Sequence, residues 1–190
     1  MSSGYFAAEV SEKDISRIQN KLGEMRDKTP VVVARALNRT ASNARTQLAK
    51  QAGVAYTYKK STRTQMRLKK ATPADLGAEI RSSGSPHNLT SFQHGFYKRA
   101  GAHAAVIRGQ RKYIRSGDGT IKGFKTMSRG GAGGLIMIRK GEKRRPVHVA
   151  HGPSTPKMLE NEKVYGIVEP SIQENLNRHI DSRIKELLAR

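Results

Sequence analysis

The chain has no cysteine. Disulfide frameworks, thiolate nucleophiles and cysteine-ligated zinc are excluded together, and the composition suits a protein made in a reducing cytoplasm. Tryptophan is also absent, and aromatic residues make up only 5% of the 190 residues. The core must therefore come from Val, Ile, Leu, Ala and Met. With so few large side chains, tight burial is expected to draw on neighbouring subunits. No apolar run approaches the roughly 20 residues of a membrane helix. Met1 to Val10 lacks the basic-then-apolar order of a secretory signal. A soluble protein is expected, with room for one domain and a modest core.

Carboxylates are scarce as well. There are 36 Lys and Arg against 15 Asp and Glu, a formal charge of +21. The excess is not spread evenly. Met1 to Tyr56 holds 9 basic and 5 acidic residues, Thr57 to Arg145 holds 21 and 4, and Pro146 to Arg190 holds 6 and 6. Nearly all the surplus sits in the middle, between two almost balanced ends. A compact middle of that kind needs a polyanion, an acidic partner surface or abundant counterions.

What the chain does have is helical periodicity at both ends. Residues 1–10 carry no such pattern and are expected to form a flexible arm. Ser11 and Asp14 resemble a weak capping box, and Ile15, Ile18, Leu22 and Met25 follow as one apolar stripe. Thr29-Pro30 suits a helix start. A second helix is predicted from Pro30 to about Gln51, with Val33, Leu37, Ala41, Ala44 and Leu48 on one face and Gly53 as a stop. The two helices form an antiparallel or angled hairpin. Tyr56 to Lys70 is a third helical candidate. Lys59, Arg63, Arg67 and Lys70 would share one face there and repel each other without an anion alongside.

The remainder of the middle reads as strands: Leu76 to Arg81, Ala104 to Gly109, Thr120 to Met127, Leu135 to Lys140 and Arg145 to Ala150. No helical crossover separates them, so the sheet is expected to be antiparallel. After Gly152-Pro153-Ser154-Thr155-Pro156, where Thr155 is placed to cap a helix, Val164, Val168, Ile172, Leu176, Ile180, Ile184 and Leu187 recur at helical spacing. Pro170 is expected to kink or restart that helix. The fold class is α+β. Long N-terminal helices and a C-terminal helix pack around a central antiparallel sheet in one domain, residues 11–190, whose basic central region is 57–145.

Catalytic patterns are hard to find. The Gly-rich stretch Gly130 to Gly134 enters Leu135-Ile136-Met137-Ile138 and not Gly-Lys-Ser/Thr, so it reads as a hairpin tip and not a phosphate loop. Gly117-Asp118-Gly119 reads as a turn. His148 and His151 are close in sequence, but no carboxylate cluster accompanies them as a metal or nuclease site would require. No cofactor and no metal are expected. Phe92, Phe96 and Tyr97 stand beside Lys98 and Arg99; aromatics beside bases stack on single strands, and they also anchor loops onto a core. The Gly-Pro-Ser-Thr-Pro element restricts the backbone at two prolines and aims the last helix.

Three stretches, in this order, carry a resemblance: Ala34 to Val54 (ARALNRTASNARTQLAKQAGV), Arg67 to Ile80 (RLKKATPADLGAEI) and His151 to Met158 (HGPSTPKM). Together they resemble the minor tail protein Z family of long-tailed phages and prophages, over most of the chain. The resemblance implies a non-enzymatic virion protein. It would act in tail completion or head-to-tail joining at the head-proximal end of the tail, after synthesis in the bacterial host cytoplasm. It further implies a homo-oligomeric ring around a DNA channel, of six or twelve subunits, with tail terminator, head-tail connector or tail tube proteins as partners and no membrane. Under that reading Lys59, Arg63, Arg67, Lys70, Arg108, Arg111, Lys112 and Arg115 meet DNA phosphates, without base readout, or acidic neighbouring subunits. Gly152, Pro153, Ser154, Thr155 and Pro156 form a rigid corner open to interface use, and Ile180 and Ile184 supply packing within and between subunits. The alternative is a free-standing, sequence-independent nucleic-acid-binding protein, which a pI near 10.7 also suits.

Overall fold

The computed structural model describes residues 2–8, 10, 12–116, 119–126, 134–141 and 143–189. Two N-terminal helices open the helical frame. α1 (Glu12–Leu22) has Glu12 and Asp14 in its first turn and Lys21 in its last, the arrangement the helix dipole favours. It buries Ile18 and Leu22 and half-buries Ile15; Met25, the last of the predicted stripe, is half-buried just beyond its end. A 3-10 segment, Gly23–Lys28, turns the chain. Gly23 takes a positive φ of 53° there, and Met25 leaves helical geometry. α2 (Thr29–Ala55) then starts with Pro30 in its first turn and buries the predicted face, Val33, Leu37, Ala41, Ala44 and Leu48.

α2 does not stop at Gly53. It continues to Ala55 and ends where Tyr56 becomes extended. The terminal carbonyls are taken up from outside the helix. Arg108 donates from Nη2 to the Gly53 carbonyl at 2.9 Å and from Nε to that of Val54 at 3.2 Å, and its amide reaches the Ala55 carbonyl at 2.9 Å. A cation and three donors at a helix C-terminus satisfy both its orphan acceptors and its dipole. Glycine was therefore not needed as the terminator.

The β structure is antiparallel throughout and divided among three small sheets. The first has the order β1-β3-β2, from β1 (Ser2–Ala8), β2 (Met66–Lys69) and β3 (Ala78–Gly84). Residues 2–8, expected to lie in a flexible arm, thus pair along their whole length with β3, from Ser2 opposite Gly84 to Ala8 opposite Ala78. The second sheet runs β4-β5-β6, from β4 (Gln93–Tyr97), β5 (Gly101–Ala105) and β6 (Lys112–Tyr113). The third runs β7-β8-β9, from β7 (Phe124–Lys125), β8 (Ile136–Arg139) and β9 (Val147–Val149). The Gly-rich tip 130–133 and residues 117 and 118 lie outside the described residues.

The third helical candidate, Tyr56 to Lys70, is not a helix. After Tyr56 the chain is irregular, makes one 3-10 turn at Thr62–Gln65 and enters β2. Hydroxyl side chains compete here for the backbone. Ser61 Oγ accepts from the Arg63 amide, and Thr64 Oγ1 donates to the Ser61 carbonyl. From Met66 to Lys69 the burial alternates with period two, Met66 inside and Arg67 outside, which suits a pleated strand.

α3 (Thr155–Leu159) and α4 (Tyr165–Leu188) complete the frame. α4 runs unbroken through Pro170 without restarting. Ser171 donates its hydroxyl to the Val168 carbonyl at 2.7 Å beside the missing amide. The core has two parts joined along α2. Val32 to Ala41 pack with Ile18 and Leu22 of α1 and with Leu176, Ile180 and Ile184 of α4. Ala44 to Tyr56 pack with the sheets, Phe92, Met158 and Leu159. One buried polar pair sits at the α2–α4 contact, Thr40 Oγ1 with His179 Nδ1 at 3.0 Å. Outside it, Lys21 of α1 bonds Asp181 of α4 at 2.7 Å and holds that carboxyl below its usual range.

Candidate functional site

The structure does not place Lys59, Arg63, Arg67 and Lys70 in one helical row, because β2 takes the second half of the segment. All four remain exposed. Lys59 donates to the Thr90 carbonyl at 3.1 Å, and Arg67 lies directly opposite Arg81 across β2 and β3. Like charges facing each other across a pair of strands destabilise it. Part of that strain is relieved at Arg81, which is bonded bidentately to one oxygen of Glu79. Lys69, a neighbour on β2, pairs with Asp75 at 3.0 Å and with Glu79 at 3.7 Å.

Arg111, Lys112 and Arg115 are exposed around β6. Arg111 reaches the Tyr97 hydroxyl at 3.4 Å and Arg115 the Gly119 carbonyl at 3.4 Å. Arg108 is committed to the end of α2. Among the described residues, none of the eight predicted cations forms an ion pair within the chain. The few carboxylates nearby, Asp75 and Glu79, are taken by Lys69 and Arg81.

The corner at Gly152–Pro156 is built from several directions. The Gly152 amide donates to the His87 carbonyl at 2.8 Å, and Leu89 donates to Ala150. A β-carbon on Gly152 would lie 2.7 Å from Phe92 Cε2, so the backbone rests on a fully buried ring and only glycine fits. Ser154, not Thr155, takes the position before α3, and its hydroxyl makes no capping bond.

The fully buried Thr155 does something else. Its hydroxyl donates to Gln65 Oε1 at 2.5 Å and meets His87 Nε2 at 2.9 Å. His87 Nδ1 meets the Tyr58 hydroxyl at 3.4 Å, and that hydroxyl accepts from Gln65 Nε2 at 3.2 Å. With the proton on Nε2 the four side chains form a closed circuit in which each donates once and accepts once. Protonating Nδ1 would remove Tyr58's acceptor. Burial, then Lys60, holds the His87 pKa below its ordinary value, in favour of the neutral ring.

Ile180 and Ile184 are only 5% and 4% exposed, among the side chains of α1 and α2. Both pack into the chain's own core. His148 and His151 are both exposed and lie apart, His148 paired with Ile138 on β8 and His151 bridged to Asn88. Among the described residues no three His, Asp or Glu side chains gather as metal ligands would.

The stretches that carried the family resemblance meet in space. Asn38 on α2 clasps Ala71, donating from Nδ2 to its carbonyl at 2.9 Å and accepting its amide on Oδ1 at 2.8 Å. Thr155 joins Gln65, just ahead of β2, as described above. The family model of prophage minor tail protein Z matches residues 15–190. The chain belongs to the prophage minor tail protein Z family. No curated protein and no solved structure matches it.

A minor tail protein Z is a structural protein of the phage tail and not an enzyme. Its place is the virion tail and its partners are other tail proteins. No described helix is long and apolar enough to cross a membrane. One feature of this tail protein escaped the sequence reading, an aromatic stack on the β4-β5-β6 sheet. Tyr97 and His103 stack at 4.8 Å between centroids, and Tyr113 meets His103 edge-on at 5.8 Å. The available signal was alternation: Gln93, Gly95 and Tyr97 fall on one face of β4, and Gly95 lies opposite His103.

Proposed function

We propose that this tail protein completes the head-proximal end of the tail and joins it to the head. It forms a homo-oligomeric ring, of six or twelve subunits, whose cationic middle faces the DNA path. The observation that carries this reading is the set of exposed cations, Lys59, Arg63, Arg67, Lys70, Arg111, Lys112 and Arg115, without an ion-pair partner among the described residues. Unpaired charge of one sign destabilises a compact chain through self-repulsion. A polyanion outside the chain relieves it, through phosphate contact and counterion release without base readout.

The tail terminator, the head-tail connector and the tail tube are the neighbours such a ring would touch. The corner at Gly152–Pro156 is suited to docking on one of them or on the next subunit, because its backbone is fixed by prolines and by the hydrogen bonds to His87. An acidic neighbouring subunit would satisfy the same cations, and a free-standing nucleic-acid-binding protein would carry a similar surface. A reconstruction of mature particles with this subunit traced separates these readings. The expected result is a ring at the head end of the tail with residues 59–70 and 111–115 turned to the lumen. A position at the distal tip, or those residues turned outward to solvent, would overturn it.

A further inference from the structure

We propose that the outer face of the β4-β5-β6 sheet is a stacking platform for unpaired nucleotides, with Tyr97 and Tyr113 taking bases and Arg111 taking the phosphate between them. The inference rests on the reading that the cationic middle faces DNA.

The register makes the face. Gly95 and Tyr97 of β4 lie opposite His103 and Gly101 of β5, and Tyr113 of β6 lies opposite His103, so the three rings share one side. His103 is at the centre, 8% exposed, with its ring where a β-carbon of Gly95 would stand, 2.7 Å from Cε1 and 2.8 Å from Nε2. Any larger residue at position 95 would push the imidazole out. The flanking rings are open, Tyr97 at 48% and Tyr113 at 45%. Large aromatics left half-exposed in a chain this poor in them mark an interaction surface.

A recess of about 520 Å³ adjoins the stack, lined by Gln93, His94, His103, Ala105, Gly109 and Arg111. It offers amide, imidazole and guanidinium groups and no carboxylate. His103 Nδ1, buried in its wall, has no hydrogen-bond partner, a costly condition that a bound ligand or a small shift of the rings would relieve. Arg111 at the recess is exposed, as are Lys98 and Arg99 in the turn between β4 and β5, next to Tyr97. Between Glu79 and Glu142 the sequence has a single acidic residue, Asp118.

The occupant must therefore be anionic, and the rings select which anion. An acidic peptide would satisfy the cations but leave both tyrosines uncovered. A duplex presents phosphates but keeps its base faces stacked on each other. Only unpaired nucleotides offer a planar face and a phosphate at each step, the combination that single-strand platforms use.

The chain has no tryptophan, so Tyr97→Trp puts one indole reporter on the platform. The full-length variant is titrated with oligothymidylate and with a duplex of equal length, alongside Tyr97→Ala, Tyr97→Phe and Arg111→Gln. Thermal unfolding of each variant verifies the fold. The expected result is indole quenching by the single strand and little by the duplex. Tyr97→Ala weakens single-strand binding about five- to a hundred-fold, Tyr97→Phe leaves it nearly unchanged, and Arg111→Gln weakens both DNAs. Equal single-strand binding by Tyr97→Ala, or equal quenching by both DNAs, would overturn the platform while leaving the DNA-facing middle intact. Failure of both DNAs to bind at low salt would remove both readings. Quenching by polyglutamate to the same extent as by oligothymidylate would assign the face to an acidic protein segment instead.

Discussion

A single methyl group at position 152 would collide with Phe92 and, at 3.3 Å, crowd Leu89 Cδ2. Both rows of atoms are in the core, so nothing nearby can yield cheaply. Gly152→Ala is expected to cost about 1–3 kcal/mol, the usual range for overpacking, read as a lower denaturant midpoint with an unchanged slope. A midpoint equal to the wild type would mean that the corner is softer than described. At the same scale, His87 and His179 are both held below the ordinary histidine value of 6.5. Burial leads for both, followed by Lys60 for His87 and by Arg39 and Arg178 for His179. In the unfolded chain they take up protons near 6.5, and in the folded chain only at lower pH. The unfolded state then binds more protons, so stability is complete above 6.5 and falls as the pH drops below it. Denaturant midpoints measured downward from neutral pH should decline, and Thr40→Val with His179→Gln together should flatten part of that decline. A midpoint that stays level or rises on acidification contradicts the neutral assignment.

The helices were the most legible elements because their signal is local. The stripe from Ile15 to Met25 and the face from Val33 to Leu48 fixed α1 and α2 by spacing alone, and Ile180 and Ile184 marked the inner face of α4. Interior use is what the spacing encodes. It does not say whether the covering surface belongs to the same chain, and here it does. Ile180→Ala should therefore cost about 2–5 kcal/mol in the isolated subunit, with no need for an assembled partner. Unfolding that is unchanged in the isolated subunit would contradict the burial of Ile180 in the subunit's own core. Residues 56–70 differ from the helical expectation because steps of four, as from Lys59 to Arg63 to Arg67, fit an alternating strand as well as a helix. Ser61 and Thr64 decide the matter through bonds that a periodicity count does not weigh. The pairing of Ser2–Ala8 with β3 was invisible for another reason. It depends on partners at least seventy residues away, and the clasp of Arg108 on α2 likewise spans more than fifty residues. Arg108→Ala should leave the fold in place and speed amide exchange in the last turn of α2. Unaltered exchange there would show that the clasp contributes nothing.

At the scale of the molecule, a nearly neutral helical frame holds a cationic middle in three small sheets. Among the described residues, Lys21 and Asp181 pair within the frame, and in the middle Lys69 and Arg81 are the cations in ion pairs, against a far larger local excess of positive charge. Of the stack, only Tyr97 stands out in the sequence, beside Lys98 and Arg99; His103 and Tyr113 join it only through strand register. The central claim is that the unpaired cations exist for a polyanion outside the chain. It is tested most directly by the salt dependence of duplex DNA binding to the full chain, compared with a variant carrying Arg63, Arg67, Lys112 and Arg115 replaced by Gln. The wild type should bind with an affinity that falls steeply and linearly in log–log form. The variant should lose close to one unit of slope for each replaced phosphate contact while unfolding at the same or a higher temperature. Identical slopes for the two proteins, or a variant that unfolds earlier, would show that these cations serve the fold and not a partner.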